Sequence, residues 1–278
     1  KLDVSLYRQD DFVQQLNDYM SCKTPFLRGT ADMVAVASEL LARDPRTMPV
    51  PMNQLSWSHG GDAIVVKEGI KTPKDLCGKT IAVQYPGPHM YFITKVLTDA
   101  GCKLKDMRFK LVKDLTQTDA KSVSPVLAFK ADPSVDVATV IIPDALALTS
   151  NGRVGTGSED SFRDAHILMT SADASRVIAD LYWVRKDYYD AHRADVVAFT
   201  NGFMQGAEKF RDLMKSKGPG YKEAITAAAD ILFDSATATK DVADLYSGSE
   251  VVGYAGNTKF FNDARNPRSF DKLIGDIQ

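Results

Sequence analysis

Residues 80–112 read Thr80-Ile-Ala-Val-Gln-Tyr85, Pro86-Gly87-Pro88, then His89-Met-Tyr-Phe-Ile-Thr-Lys-Val-Leu-Thr-Asp-Ala100, Gly101, and finally Met107-Arg-Phe-Lys-Leu-Val112. The first run is short and apolar, which predicts a buried strand. Pro-Gly-Pro is turn chemistry. Apolar residues recur at helical spacing over 89–100, and Gly101 closes that helix. Residues 107–112 alternate and predict the next strand. Farther out, Asp119 to Lys130 reads as a helix interrupted at Pro125, and Val135 to Ile142 is a β-branched run. A short helix should follow Pro143, and His166 to Thr170 should be a fourth strand. Strands alternating with helices at this spacing predict βαβ units and a parallel, doubly wound α/β sheet. Such sheets take ligands at the carboxyl ends of their strands.

The flanks differ. Lys1 to Leu6 alternates as a strand, and Asp11 should cap a helix running to about Met20. Asp62 to Lys67 and Ala179 to Arg185 are two isolated strand-like runs that bracket the middle block. After Arg185 helical patterns dominate, over Asp187–Lys215, Tyr221–Phe233 and Lys240–Tyr246, with a break at Lys215-Ser-Lys-Gly-Pro-Gly220. The layout places an α/β block, 69–178, between two crossing strands near Ala63–Val66 and Leu181–Val184. Segments 1–68 and 179–278 should then form a second lobe together. Two lobes joined by two strands make a hinged clamp with a ligand cleft between them.

Composition narrows the function classes. The chain has 278 residues, of which 44% are hydrophobic and 25% charged, which is ordinary for a globular protein and excludes disordered or fibrous classes. With 34 basic and 36 acidic residues the net charge is −2, so no basic field for nucleic acid exists. The longest apolar stretch, Val137 to Leu148, is broken by Pro143 and Asp144 and falls short of the ~20 residues of a membrane helix. Cys22, Cys77 and Cys102 have no CxxC spacing, which argues against a zinc or redox motif. They allow at most one internal disulfide, and three buried thiols are the simpler expectation. The chain opens at Lys1 without an initiator Met or secretory signal and is expected to be a processed or trimmed product, so the compartment stays open.

Several motifs stand in an ordered series. Ser58-His-Gly-Gly-Asp62 leads into Ala63-Ile-Val-Val66. Lys71-Thr-Pro-Lys-Asp-Leu76 and Gly78-Lys79 precede the strand at 80, and Gly87-Pro88-His89 opens a helix. Val135-Asp-Val-Ala-Thr139 and Tyr182-Trp-Val-Arg-Lys-Asp-Tyr-Tyr-Asp-Ala-His192 follow. The series resembles the type II periplasmic solute-binding proteins of ABC importers, in the nitrate/sulfonate/taurine and thiamine-pyrimidine branch. The resemblance runs over about 1–278 and is strongest between Asp62 and Lys215. It implies a two-lobed type II periplasmic-binding-protein fold with doubly wound sheets and two hinge strands. Lys1-Leu-Asp-Val-Ser-Leu6 resembles the family's second strand, so the first strand-helix unit of lobe 1 is expected to be missing. Ile142-Pro143-Asp144 stands where many relatives have a Trp-Glu-Pro triplet.

The candidate ligand contacts are Arg28, Thr30, Asp32, Trp57, His59, Gly87, His89, Tyr91 and Asp144. Gly87 lets a ligand approach the backbone, Pro88 suits a first helical turn, and His89 and Tyr91 would face the ligand. Helix N-termini there favour anions or polar groups. A plain turn with His89 as a cap is the alternative. Arg28 to Asp32 is a second loop-to-helix junction, read as a ligand loop or as a simple cap by Thr30. Trp57 offers a flat apolar wall and His59 a polar tip, although Trp57 also suits a lobe core. Asp144 sits at a strand's carboxyl end, where it can meet a ligand or serve its own helix N-terminus.

Catalytic patterns are missing. The four histidines are dispersed with no HxxxH or HExxH pair, and neither GxSxG nor a P-loop occurs. No enzyme, metal or cofactor is expected. The expected protein is an extracytoplasmic binding protein, periplasmic or lipid-anchored. It would capture a small nitrate-, sulfonate-, phosphonate- or pyrimidine-like molecule and deliver it to an ABC permease, without nucleic-acid partners or a membrane span. A ligand-sensing domain of a larger envelope or regulatory protein is the alternative.

Overall fold

A computed structural model describes residues 2–117, 121–158, 160–174 and 176–277. The described residues form helices α1 (Phe12–Met20), α2 (Ala31–Leu41), α3 (His89–Asp99), α4 (Pro125–Ala131), α5 (Ile142–Leu148), α6 (Lys186–Ala191), α7 (Arg193–Ser216), α8 (Tyr221–Phe233), α9 (Thr239–Ser247), α10 (Tyr254–Asn262) and α11 (Phe270–Ile277). The strands are β1 (Phe26–Thr30), β2 (Pro49–Ser58), β3 (Asp62–Val66), β4 (Thr80–Gln84), β5 (Arg108–Val112), β6 (Val137–Ile141), β7 (His166–Thr170), β8 (Ala179–Arg185) and β9 (Ser249–Val251). The chain divides into two compact units, Lys1–Trp57 with Ala179–Gln278, and Ser58–Ile178. The division at Trp57 and Ser58 differs from the boundary drawn at 68 and 69. Residues 58–68 belong with the inserted block, because β3 is paired on both sides inside its sheet.

Unit 2 (Ser58–Ile178) is built on a five-stranded sheet in the order β5-β4-β6-β3-β7. Strands β5, β4 and β6 run parallel, but β3 is antiparallel to both β6 and β7, so the sheet is mixed rather than wholly parallel. Every residue of β3 is buried, which is why Asp62-Ala-Ile-Val-Val66 carries no polar alternation after its first residue. Phe129 of α4 and Ala145 and Leu148 of α5 pack with Ala63, Val65, Ala82, Ala138 and Val140 in one core. Helix α4 begins at Pro125, not at Asp119. Ser124 caps it by accepting from the Leu127 N–H, and proline suits the first turn. Asp119 itself lies outside the described residues. Cys77 and Cys102 form a disulfide and Cys22 is exposed, so the expectation of three buried thiols is overturned.

Unit 1 holds a four-stranded sheet in the order β1-β8-β2-β9, with β8 antiparallel to β1 and to β2. One face is aromatic: Trp57 stands edge-on to Phe260 at 5.5 Å, and Trp183 lies 5.9 Å from Phe270. The other face carries Phe26 and Tyr182 against Phe199, and Tyr182 also against Phe203, both on α7. Leu2 to Leu6 form no strand, contrary to the alternating pattern. Leu2, Val4 and Leu6 are exposed, so the apolar half of that alternation has no sheet to pack on. Lys1 lies outside the described residues. Strands β1 and β2 are missing from the sequence reading because Arg28, Gly29 and two prolines blur their patterns.

Candidate functional site

The carboxyl edge of the unit 2 sheet gathers most of the candidate residues. Strands β4 and β6 are parallel neighbours, so the chain leaves both at this edge and enters α3 and α5 there. Strand β3 runs the other way and begins at the same edge, with Asp62 opposite Ile141. Helix α3 starts at His89 with Pro88 at its cap position and no side-chain cap. Its first N–H groups therefore lack the usual capping side chain.

His89 is fully buried. Its Nε2 is 2.7 Å from Asp62 Oδ1, while its Nδ1 has no hydrogen-bond partner. The imidazole thus fastens the start of α3 to the start of β3 and is turned away from solvent. Tyr91 is also buried and contributes to the core. Gly87 has an internal reason to be glycine. A Cβ there would lie 2.8 Å from the Gln84 carbonyl oxygen and 2.9 Å from Gln84 Cβ. Gly87→Val should therefore lower stability by about 1–3 kcal/mol through overpacking. Gly87→Ala should show most of that loss in thermal melts, because the clash begins at Cβ. An Ala variant that melts like the wild type would mean the turn yields.

The loop before β3 is held by Ser171. Its Oγ lies 2.7 Å from Ser58 Oγ and accepts the Gly60 N–H at 2.9 Å, and its own N–H donates to the Asp62 carbonyl at 2.8 Å. Gly60 has φ +93°, which glycine adopts without strain. His59 sits at the exposed tip of this loop.

Asp144 lies in the first turn of α5. Its Oδ2 is buried and has no hydrogen-bond partner. Burial raises its pKa above the ordinary carboxylate range, while the Lys130 charge and then His89 work in the opposite direction. Asp144 opens onto a cavity of about 340 Å³ lined by Gln117, Val126, Lys130, Ala147, Leu148 and Asp160. Lys130 Nζ is 3.9 Å from Asp160, whose side chain is 91% exposed, so that pair is loosely held.

Unit 1 holds the other candidates. Arg28 pairs with the Asp180 carboxylate, leaving Asp180 Oδ1 buried and unpartnered. The neighbouring Asp180 charge raises the Arg28 pKa further. Thr30 occupies the cap position of α2, yet its hydroxyl does not cap the backbone. It donates to Asp32 Oδ1 at 2.5 Å, and both residues are buried. Trp57 is buried against Phe260 and serves the lobe core. Within unit 2, then, the fold brings His89, Gly87 and Asp144 to one edge, while Arg28, Thr30 and Asp32 cluster in unit 1. Sequence reasoning gave no role to Asp62, Lys130, Ser171 or Asp180. Asp62 had a visible signal, a carboxylate heading an otherwise wholly apolar run. Lys130 had none until α4 and α5 were seen to share a face.

No protein-family profile matches the chain, and no curated protein matches it in sequence. Solved structures do resemble it. The periplasmic aliphatic sulphonate binding protein SsuA from Escherichia coli is 17% identical over 86% of this chain and 68% of its own, with a TM-score of 0.57. The alkanesulfonate-binding protein SsuA from Xanthomonas axonopodis pv. citri, bound to MOPS, is 16% identical over 87% and 73%, also at 0.57. The ligand binding component of an ABC-type import system from Staphylococcus aureus is 10% identical over 97% and 78%, at 0.57. At such identities the likeness is one of fold. The chain has the mixed α/β periplasmic-binding-protein fold, with two sheets.

Proposed function

From this periplasmic-binding-protein fold we infer that the protein captures a small polar or anionic solute outside the cytoplasm and delivers it to an ABC permease, without transforming it. The observation that carries this reading is the carboxyl edge of the unit 2 sheet. There the start of α3, with no side-chain cap, and the unpartnered Asp144 Oδ2 meet at the end of the sheet where α/β proteins take ligands. Gly87, His59 and Asp144 are the groups we assign to the solute in unit 2. Unit 1, taken by itself, carries Arg28, paired with Asp180, and the Thr30–Asp32 turn as its own candidate contacts. His89 and Tyr91 are buried supports, and Trp57 is a core residue.

Two further observations support the reading. The fold neighbours named above include proteins that bind aliphatic sulfonates. The Cys77–Cys102 disulfide suits an oxidising, extracytoplasmic compartment. Among the described residues no helix is long and apolar enough to cross a membrane, and no group of His, Cys, Asp and Glu could hold a metal ion.

Titration calorimetry against nitrate, alkanesulfonates, phosphonates and pyrimidines tests the proposal. One class should bind with one-to-one stoichiometry, and His59→Ala should weaken it. A panel in which nothing binds would overturn the reading.

A further inference from the structure

Charge is unevenly spread along this chain. Residues 71–113 hold nine lysines and arginines against three aspartates, although the whole chain is net −2. The fold gathers six of those cations at the amino edge of the unit 2 sheet, where β4 and β5 begin as parallel neighbours. They are Lys71, Lys74, Lys79, Lys103, Lys105 and Arg108, all exposed except the half-buried Lys79. Two short 3-10 turns, Pro73–Leu76 and Leu104–Asp106, stand at this edge, and the Cys77–Cys102 disulfide ties the segments that carry them. Lys74 Nζ donates to the Gly101 carbonyl at 3.4 Å, and Arg108 donates to the Gly78 carbonyl at 2.9 Å and to Thr80 Oγ1 at 3.1 Å. Those partners carry no charge, so the cations stay unneutralised. Asp75 accepts the N–H groups of Lys71 and Thr72, Asp99 pairs with Lys95, and Asp106 lies in the second turn. Two leucines sit among the cations: Leu104, 42% exposed between Lys103 and Lys105, and Leu111, 53% exposed on the edge strand β5. Soluble surfaces usually intersperse both signs of charge and expose few leucines beyond what function needs.

We propose that this face docks on a membrane surface rich in anionic lipid, with the six cations over the headgroups and Leu104 entering the interface. Each Lys or Arg brought near an anionic leaflet raises affinity about fivefold. An apolar side chain between cations suits a lipid surface better than an acidic protein, because headgroups supply the negative charge and acyl chains receive the leucine. The carboxyl edge, with Gly87 and Asp144, lies at the other end of the same sheet, so docking leaves those groups open. The inference goes beyond solute capture and does not depend on it.

Co-sedimentation of the full chain with phosphatidylcholine vesicles, with and without phosphatidylglycerol, tests this. The chain should pellet with the mixed vesicles and remain in solution with pure phosphatidylcholine, and added salt should release it. The triple variant Lys71→Gln, Lys103→Gln, Lys105→Gln should bind about a hundredfold more weakly. Leu104→Ser should bind more weakly and be released at lower salt. Lys209→Gln, Lys215→Gln, Lys222→Gln removes the same charge from exposed positions on α7 and α8, and should bind like the wild type. Equal pelleting with both vesicle types, or equal losses in the two triple variants, would overturn the proposal. So would a chain that pellets with neither vesicle, and its retention by polyglutamate would then assign the face to an acidic protein.

Discussion

His89→Ala should destabilise unit 2 by about 1–3 kcal/mol, the usual cost of leaving a buried hydrogen-bonding group without its partner. The reason is local. Asp62 heads a strand whose residues are all buried, and its Oδ1 faces the His89 Nε2 at 2.7 Å. Truncation leaves that carboxylate without its partner and opens a void under the first turn of α3. Urea unfolding should show a lower midpoint with an unchanged slope, and hydrogen exchange should locate the loss in β3 and α3. His89→Gln keeps a donor and should recover part of the loss. A His89→Ala variant within 1 kcal/mol of wild type would mean that the bond contributes nothing, and His89 would again be free to serve the solute directly.

Reduction of Cys77–Cys102, or Cys102→Ser, should lower the stability of the same unit by about 3.5 kcal/mol in the chain-entropy account. The bridge spans 25 residues and closes a loop that contains β4 and α3. That loop carries Gly87 and the buried support His89, so its loosening should also weaken solute binding. Cys22 is exposed and outside the bridge, so Cys22→Ser should change neither quantity. Melting with and without reductant, on wild type and on Cys22→Ser, separates the two cases. Identical melts in both conditions would contradict the account.

The parts of the fold legible in sequence were those with strong periodicity and clear punctuation. Strand β4, the turn at 85–88 and α3 were readable because buried apolar runs end in Pro and Gly. Strands β1 and β2 were not, since Arg28 reaches to Asp180 across the sheet and β2 is irregular at 51–53 and 54–56. The alternation over Lys1 to Leu6 shows the converse failure: it predicts a strand, and the described residues Leu2 to Leu6 form none. The candidate residues were half legible. The carboxyl edge of the sheet is the sequence signal behind Gly87 and Asp144 as candidates, whereas the burial of His89 and Trp57 is displayed by no pattern. The cavity depended on α4 and α5 sharing a face, a tertiary fact invisible from Lys130 or Asp144 alone.

Solute capture without turnover is the central claim, and equilibrium dialysis with recovery of the ligand tests it most directly. Incubated with the member of the nitrate, alkanesulfonate, phosphonate and pyrimidine panel that binds in calorimetry, the protein should retain one molecule per chain, saturably, and release it chemically unchanged on denaturation. A ligand recovered in altered form, or retention that never saturates, would contradict it.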